Sequence, residues 1–276
     1  MSTTISILMP AFNEGAFIYQ SLHHLTQFMK TQSFDYEIIV SNDGSWDNTT
    51  SEAQRASKDF GRIRIIQNNQ NQGKGFALKN AFFVSHGNMI VFLDADLDMP
   101  PSQLSLFFST FSKDNPDIII GSKRHPNSII HYPLKRKIMS QGYSFLLRLM
   151  FGLPIQDTQT GMKLFKRKVL EEIFPVILCK RFAYDIEILA CAHKYGYSIK
   201  ELPIIIHHGQ TKFGGIGLRT TRQVTQDTLA IFYRMYIRRW YKRKTSFIKR
   251  GQDSQSSFPS SAPQDTISNL SRKLYT

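Results

Sequence analysis

An α/β fold built on a mostly parallel sheet is predicted by three observations. Short runs rich in Ile and Val alternate with longer stretches whose apolar residues recur at helical spacing, the pattern of strand-helix-strand units joined by right-handed crossovers. One run, Met89-Ile90-Val91-Phe92-Leu93, is apolar throughout, as suits a strand covered on both faces. It ends in Asp94, Asp96 and Asp98, acids at alternate positions where the carboxyl ends of parallel strands form the usual ligand crevice. A chain of 276 residues has room for one such domain and a C-terminal appendage.

The elements follow in order. Ile5 to Met9 reads as the first strand, and Pro10 to Gly15 as a turn opening an amphipathic helix through about Met29. Tyr36 to Val40 is the second strand. After the turn Asn42-Asp43-Gly44-Ser45, the segment Asp47 to Phe60 carries early Asp and Thr residues that suit a helix N-terminus. Arg62 to Gln67 is the third strand. Asn71-Gln72-Gly73-Lys74-Gly75 then opens a helix through Ser85, ahead of the acid-ended strand. Ile118 to Ser122 is a further strand, followed by a basic connection with Lys123, Arg124, Lys135, Arg136 and Lys137 and a helix from about Leu134 to Phe151. Asp157 to Lys163 is a polar turn, Met162 to Phe165 a short strand, and Ala183 to Tyr195 a helix. In the strand Ile199 to Ile206, Pro203 favours an edge or bulged position because proline donates no ladder hydrogen bond. From about Thr221 to Lys244, Val224, Ile231, Met235 and Trp240 recur among arginines. Beyond Gly251, Ser, Gln and Pro dominate without period, so a disordered tail is expected.

A formal net charge of +14 implies an anionic partner: nucleic acid, a phosphorylated substrate or an acidic membrane surface. Much of the excess is local, with ten Lys or Arg and the single acid Asp227 between Arg219 and Arg250. Cys179 and Cys191 lack the spacing of a metal knuckle or redox pair and read as buried thiols in a reducing compartment. The N-terminus enters a strand without a basic, apolar leader, so secretion is not expected. No run of about 18 uninterrupted apolar residues exists, which leaves only peripheral membrane contact.

Asp94, Asp96 and Asp98 repel one another unless a hard divalent cation sits among them, and such a cation takes oxygen ligands and phosphate co-ligands. The competing reading is a solvated acidic turn that caps the next helix. A calcium-binding helix-loop-helix is excluded, because its required Gly and Glu positions are Met99 and Ser105. Gly73-Lys74-Gly75 opens a helix whose free amides favour an anion, and Lys74 could contact a phosphate. It lacks the spacing of a Walker loop, and a tight turn with a solvated lysine is the alternative. A zinc site at His207-His208 and Cys179 has no further ligands at metal spacing.

Taken together, Met9-Pro10-Ala11-Phe12-Asn13-Glu14, Asn42-Asp43-Gly44-Ser45-Trp46-Asp47, Asn71-Gln72-Gly73-Lys74-Gly75, Asp94-Ala95-Asp96, Gly121-Ser122-Lys123, Asp157-Thr158-Gln159-Thr160-Gly161, Tyr184-Asp185-Ile186-Glu187 and Gly209-Gln210-Thr211-Lys212 resemble family 2 glycosyltransferases, most closely polyprenyl-phosphate hexosyltransferases of the dolichyl-phosphate mannose and glucose synthase type. The resemblance runs from Ile5 to about Gly214. It implies a GT-A fold, a nucleotide-sugar donor and Mg or Mn at the acidic strand end. By the family's pattern Pro10, Ala11, Phe12, Glu14 and Asp43 surround the nucleoside, while Asp94 and Asp96 serve the sugar and metal. Asp98 stands where relatives often carry Gln, which adds a negative charge to the metal site. Asn42 replaces a common Asp, and Lys123 a usual Arg, which keeps the charge but loses the planar fork.

The resemblance further implies a lipid-phosphate acceptor held by Lys123, Arg136 and Ser140. A phosphomonoester is already ionised near neutrality, with a second pKa of about 6, so it needs no general base. A hydroxyl acceptor would need one, and Asp157, Asp185 or Glu187 are the candidates. The expected activity is inverting transfer of a hexose from a UDP-glucose or GDP-mannose type donor to a polyprenyl phosphate, with Asp94, Asp96, Arg136 and Glu187 as catalytic candidates. The alternative is a family 2 transferase with a glycan or other hydroxyl acceptor. Residues 1–218 form the catalytic domain in this reading, 219–250 a basic amphipathic helix and 251–276 the tail. The aromatics beside Arg and Lys in Phe232 to Tyr241 have the composition of a membrane-interfacial helix. Contact through it, or a separate membrane-protein anchor, is expected at the cytoplasmic face. A nucleic-acid-binding role for Arg219 to Arg250 is the rival from another class. It leaves the acidic strand end without a purpose, so no nucleic acid partner is expected.

Overall fold

The computed structural model describes residues 4–96, 98–130, 134–181, 183–206 and 218–241, without the side chains of 134–141 and 218–221. His207, His208 and the segment Gly209 to Lys212 lie outside the described residues, as does the tail.

The strands are β1 (Thr4–Ala11), β2 (Asp35–Asn42), β3 (Ile63–Gln67), β4 (Met89–Phe92), β5 (Ile118–Ser122), β6 (Lys163–Lys166) and β7 (Ile199–Pro203). They form one seven-stranded sheet in the order β3-β2-β1-β4-β6-β5-β7. All pairs are parallel except those of β6, which runs antiparallel between β4 and β5. Pro203 ends an edge strand, where its missing N–H costs no ladder bond. The chain first winds outward from β1 through β2 to β3, then returns to place β4 on the other side of β1. The order therefore reverses between β1 and β4, and at such a switch point the loops leaving the two strands diverge and open a crevice.

Helices cover both faces: α1 (Ile18–Lys30), α2 (Thr49–Phe60), α3 (Lys74–Phe83), α4 (Leu104–Asp114), α5 (Leu134–Phe151), α6 (Arg167–Ile173), α7 (Tyr184–Lys194) and α8 (Leu218–Phe232), the last continuing into a π-helical turn, Tyr233–Ile237. Because successive strand residues point to opposite faces, Ile118 and Ile120 join one core and Ile119 the other. The first core holds Ile90 and Phe92 of β4 against α3 and α7. Ile231 and Met235 of the C-terminal helix and Tyr241 beyond it are buried in the same core. The second packs Ile7, Met9 and Val91 against Leu22 and Leu25 of α1 and Phe107 of α4. Burying a side chain of this size stabilises by about 1.5–3 kcal/mol, so the sheet that carries the acids is firmly held from both faces. The basic C-terminal helix is docked on that core through one face. Among the described residues no helix is long and apolar enough to cross a membrane.

Candidate active site

A cleft of about 340 Å³ opens at the β1/β4 switch point. Pro10, Ala11 and Phe12 line it from the end of β1, Asp43 from the end of β2, Lys74 from α3, and Asp94 and Asp96 from the loop after β4. Glu14 completes the set, so the structure brings every residue expected around the nucleotide sugar to one place.

Much of the polar sequence around the cleft builds its walls. Asn42 is fully buried; its amide oxygen accepts the Ser45 N–H at 3.0 Å and its amide nitrogen donates to Thr50 at 2.6 Å, so it shapes the turn and does not line the cleft. Ser45 Oγ accepts the Asn13 N–H at 2.9 Å, Thr49 Oγ1 the Glu14 N–H at 2.8 Å, and Asp47 the Gly15 N–H at 3.0 Å. These bonds stitch the loop after β2 to the loop after β1, fixing the backbone that carries Phe12 and Glu14. Asn13 adopts the left-handed region there, φ 58°, which asparagine tolerates better than most residues. Asp43 holds the third wall: it accepts the Asn68 amide at 2.8 Å and the backbone N–H groups of Gln72 at 3.1 Å and Gly73 at 2.7 Å.

The carboxylates on the fourth side are crowded. Burial, then the charges of Asp94 and Asp98, push Asp96 up to about 6. Burial, then Asp96, Asp94, Asp47 and Asp98, push Glu14 up to about 7. Asp94 goes the other way. Burial alone would raise it, but Lys74, which is ion-paired with it, and then Lys163 and Lys123 hold it below the usual carboxylate range. Lys74 is raised in turn, its burial outweighed by Asp94 and Asp185. Gly161 lies so close to Asp94 that a Cβ there would stand 2.0 Å from Oδ2, so any side chain at this position displaces the carboxylate.

The expected metal triplet is not assembled as one cage. Asp94 turns to Lys74, Asp96 lines the cleft and accepts the Asp98 N–H at 3.2 Å, and Asp98 lies outside the lining. Among the described residues no three His, Cys, Asp or Glu side chains converge as a closed metal site. Crowded oxygen donors with an incomplete ligand set fit a hard cation that completes its shell with substrate phosphate.

The candidate bases are placed differently. Asp157 is buried and accepts from Lys123 N–H at 2.9 Å, Gln159 N–H at 3.0 Å and Thr160 Oγ1 at 2.8 Å. Burial would raise it; the Lys123 charge and these bonds hold it down. Asp185 is paired at 2.6 Å with Lys163, itself 1% exposed, and burial pushes it up against the pull of Lys163 and Lys74. Glu187 is 0% exposed and accepts from Leu178 N–H, Cys179 N–H, Arg234 and Tyr241. None of the three lines the cleft, so Glu187 stands apart from the other expected site residues there. The physical reason is the position in α7: Glu187 points into the interface with the C-terminal helix. Arg136 and Ser140 belong to α5, with side chains outside those described. Arg181, which lines the cleft opposite Lys74, was not signalled by any motif.

Comparison with known proteins adds a lineage to this geometry. Dolichyl-phosphate beta-glucosyltransferase of Saccharomyces cerevisiae is 31% identical over 223 residues, covering 74% of this chain and 66% of its own length. The chain thus spans just under two thirds of the yeast protein. Dolichyl-phosphate beta-glucosyltransferase of Dictyostelium discoideum is 29% identical over 258 residues, 86% of this chain and 76% of that protein. Glucosyl-3-phosphoglycerate synthase of Mycobacterium tuberculosis, solved with Mn2+, UDP-glucose and phosphoglyceric acid, superposes with a TM-score of 0.63 at 19% identity, covering 83% of this chain and 80% of that one. At that identity the likeness speaks for the fold, which is GT-A. The glycosyl transferase family 2 model matches residues 6–174, the stretch holding β1 to β6 and all but Arg181 of the charged cleft lining, and the chain is accordingly a glycosyltransferase belonging to family 2.

Proposed function

We propose that the protein transfers a hexose from a nucleotide sugar, of the UDP-glucose or GDP-mannose type, to a polyprenyl phosphate at the cytoplasmic face of a membrane. The observation that carries this reading is the contrast in the carboxylates. Asp157, Asp185 and Glu187, the groups offered as base for a hydroxyl acceptor, are all buried and committed to other partners. A phosphate acceptor makes no such demand, because its oxygen is already ionised. The relatives named dolichyl-phosphate beta-glucosyltransferase favour glucose and a lipid phosphate, and the superposed synthase complex favours UDP.

In this reading the nucleoside lies along Pro10, Ala11, Phe12, Glu14 and Asp43, and the diphosphate near Lys74 and Arg181. Asp94 and Asp96, with Asp98 beside them, would hold Mg or Mn. The cation, when bound, supplies positive charge to the departing diphosphate. Lys123, whose charge reaches Asp94 and whose N–H is fixed by Asp157, orients the acceptor phosphate together with Arg136 and Ser140. A phosphate oxygen attacks the anomeric carbon from the face opposite the leaving diphosphate, so the bond forms as the other breaks and the centre inverts. Alignment of two held reactants supplies much of the rate.

Peripheral membrane contact is supported by a surface beside the acceptor helix. Phe145 and Leu149 on α5 are 69% and 75% exposed, and Leu229, Tyr233 and Ile237 of the C-terminal helix are also exposed. The two helices are neighbours, joined by Tyr143 and Thr228 hydroxyls 2.8 Å apart. Apolar and aromatic groups beside arginines suit a headgroup boundary. The two free cysteines fit a reducing compartment.

The test is radiolabel transfer from a panel of UDP- and GDP-hexoses to extracted polyprenyl phosphate, with Mg or Mn. Label in a mild-acid-labile lipid, lost on Arg136→Ala and retained on Asp157→Asn, is expected. Donor consumption that labels only hydroxyl compounds, untouched by Arg136→Ala, would refute the acceptor assignment.

A further inference from the structure

Glu187 does not line the cleft, yet it is fully enclosed at the interface of three elements. Its two oxygens serve different neighbours. Oε2 accepts the backbone N–H groups of Leu178 at 3.0 Å and Cys179 at 2.7 Å, in the loop before α7. Oε1 accepts Arg234 Nη2 at 3.0 Å and the Tyr241 hydroxyl, both from the C-terminal segment, and Arg234 Nε donates to Tyr241 at 3.2 Å. Trp240 adds a bond to the Val176 carbonyl at 3.2 Å on the same loop.

The loop leads directly to the cleft. Lys180, next in sequence, gives its carbonyl to the Phe76 N–H in the first turn of α3 at 3.1 Å, and Arg181 lines the cleft. The approach is tight: a Cβ on Gly73, already at φ +108°, would stand 2.6 Å from that carbonyl. Any shift of the loop is therefore felt by Gly73 and Lys74, which line the cleft as well. A buried carboxylate stripped of Arg234 and Tyr241 keeps only two backbone donors and must find others, and residues 178–181 of the loop, exposed or half-buried, are free to shift toward it.

Resting on the donor-site reading above, we infer that Glu187 is a positioning residue through which the C-terminal helix sets nucleotide-sugar affinity: the Arg234 and Tyr241 contacts hold the 178–181 loop, and with it Arg181 and the start of α3, in the form that binds the donor. Among the described residues no part of that helix lines the cleft, so it acts at one remove.

The experiment uses the full-length chain, with equilibrium binding of UDP-glucose and Mn2+ by calorimetry, or of GDP-mannose if the transfer panel selects it, alongside steady-state kinetics. Arg234→Met, Tyr241→Phe and Glu187→Gln each disturb the Oε1 side. The donor Kd and KM are expected to rise about tenfold, within the usual span of coupling between sites, while kcat and the acceptor KM stay near wild type. Arg234→Lys, which keeps a cationic donor, is expected to restore most of the affinity. A merely structural role lowers Tm without changing the donor Kd of the folded protein. Wild-type donor affinity in folded Arg234→Met and Tyr241→Phe would overturn the inference even if Glu187→Gln does not fold. If the wild-type chain binds none of the nucleotide sugars, the donor-site reading itself falls and the inference with it.

Discussion

The molecule holds two groups of enclosed acids, one half-buried and one fully buried, that differ in what surrounds them. At the β1/β4 cleft, Asp96 and Glu14 face other carboxylates and are pushed up to about 6 and about 7. Away from the cleft, Asp157 and Glu187 are more deeply buried but have every oxygen met by a donor. Mutual repulsion is tolerated only where something else brings the compensating charge, so the first group marks a place for a ligand and the second a place where the chain satisfies itself. Residue type alone does not separate them. Their partners do.

That contrast can be broken experimentally, most severely at the cleft. Asp96→Asn should cost on the order of 3 kcal/mol of transition-state stabilisation, roughly a hundredfold in transfer rate. In EDTA the same change should raise the thermal midpoint, because it relieves repulsion; a lowered midpoint would mean that Asp96 is a structural acid. Glu187→Ala should do the opposite to the fold. It leaves Arg234 and the 178–179 amides without their acceptor and should cost about 2–4 kcal/mol in urea unfolding; an unchanged midpoint would remove Glu187 from the self-satisfied group. Gly161→Ala tests how closely the cleft acid is placed. A methyl group displaces Asp94, and a fall in transfer of about tenfold is expected, consistent with the sensitivity of aligned reactants to sub-ångström shifts; wild-type rates would show that the loop yields.

The smallest effect is expected at Asp117, a self-satisfied acid remote from the cleft, which accepts from Lys166, Lys168 and Ser198. Partial burial would raise it, but these bonds hold it at about 2. A depressed carboxyl stabilises above its unfolded value near 3.8 and loses that contribution as pH falls through about 2. Wild type should therefore lose up to about 1 kcal/mol more than Asp117→Asn between pH 4 and 2 in denaturant titrations, the full shift being reduced by solvent screening; parallel curves would contradict the assignment.

How much of this was legible before the structure depends on what each signal encodes. β4 and β5 announce themselves by unbroken apolar stretches, β1 and β2 by short Ile- and Val-rich ones, and α5 coincides with the helix read from its sequence, Leu134 to Phe151. Helix α4 carries Leu104, Phe107, Phe108 and Phe111 at helical spacing, but Pro100, Pro101 and the acidic turn before it hide its start; the seven residues of α6 are too few to show a period. The antiparallel direction of β6 is invisible in Lys163 to Lys166, since direction is set by the connections and leaves no trace in four side chains. At the site, the gathering of Asp43, Asp94 and Asp96 at one cleft was legible, whereas Asp98 lies outside its lining. Arg181 was not, because a solvated and a cleft-lining arginine look alike until the loop is folded. Glu187 read as a catalytic acid for the converse reason: nothing near it in sequence reveals that its partners are Arg234 and Tyr241, some 50 residues away. The basic helix was read for its charged face, whereas Ile231 and Met235 hold it to the core.

The central claim is that the crowded cleft shares a cation with a bound diphosphate. Electron paramagnetic resonance of free Mn2+, titrated with the full-length chain with and without UDP, tests it most directly. The account predicts that the free-ion signal falls with wild type only when UDP is present, and that Asp96→Asn abolishes the fall. Tight Mn2+ uptake without nucleotide, or equal uptake by Asp96→Asn, would contradict it.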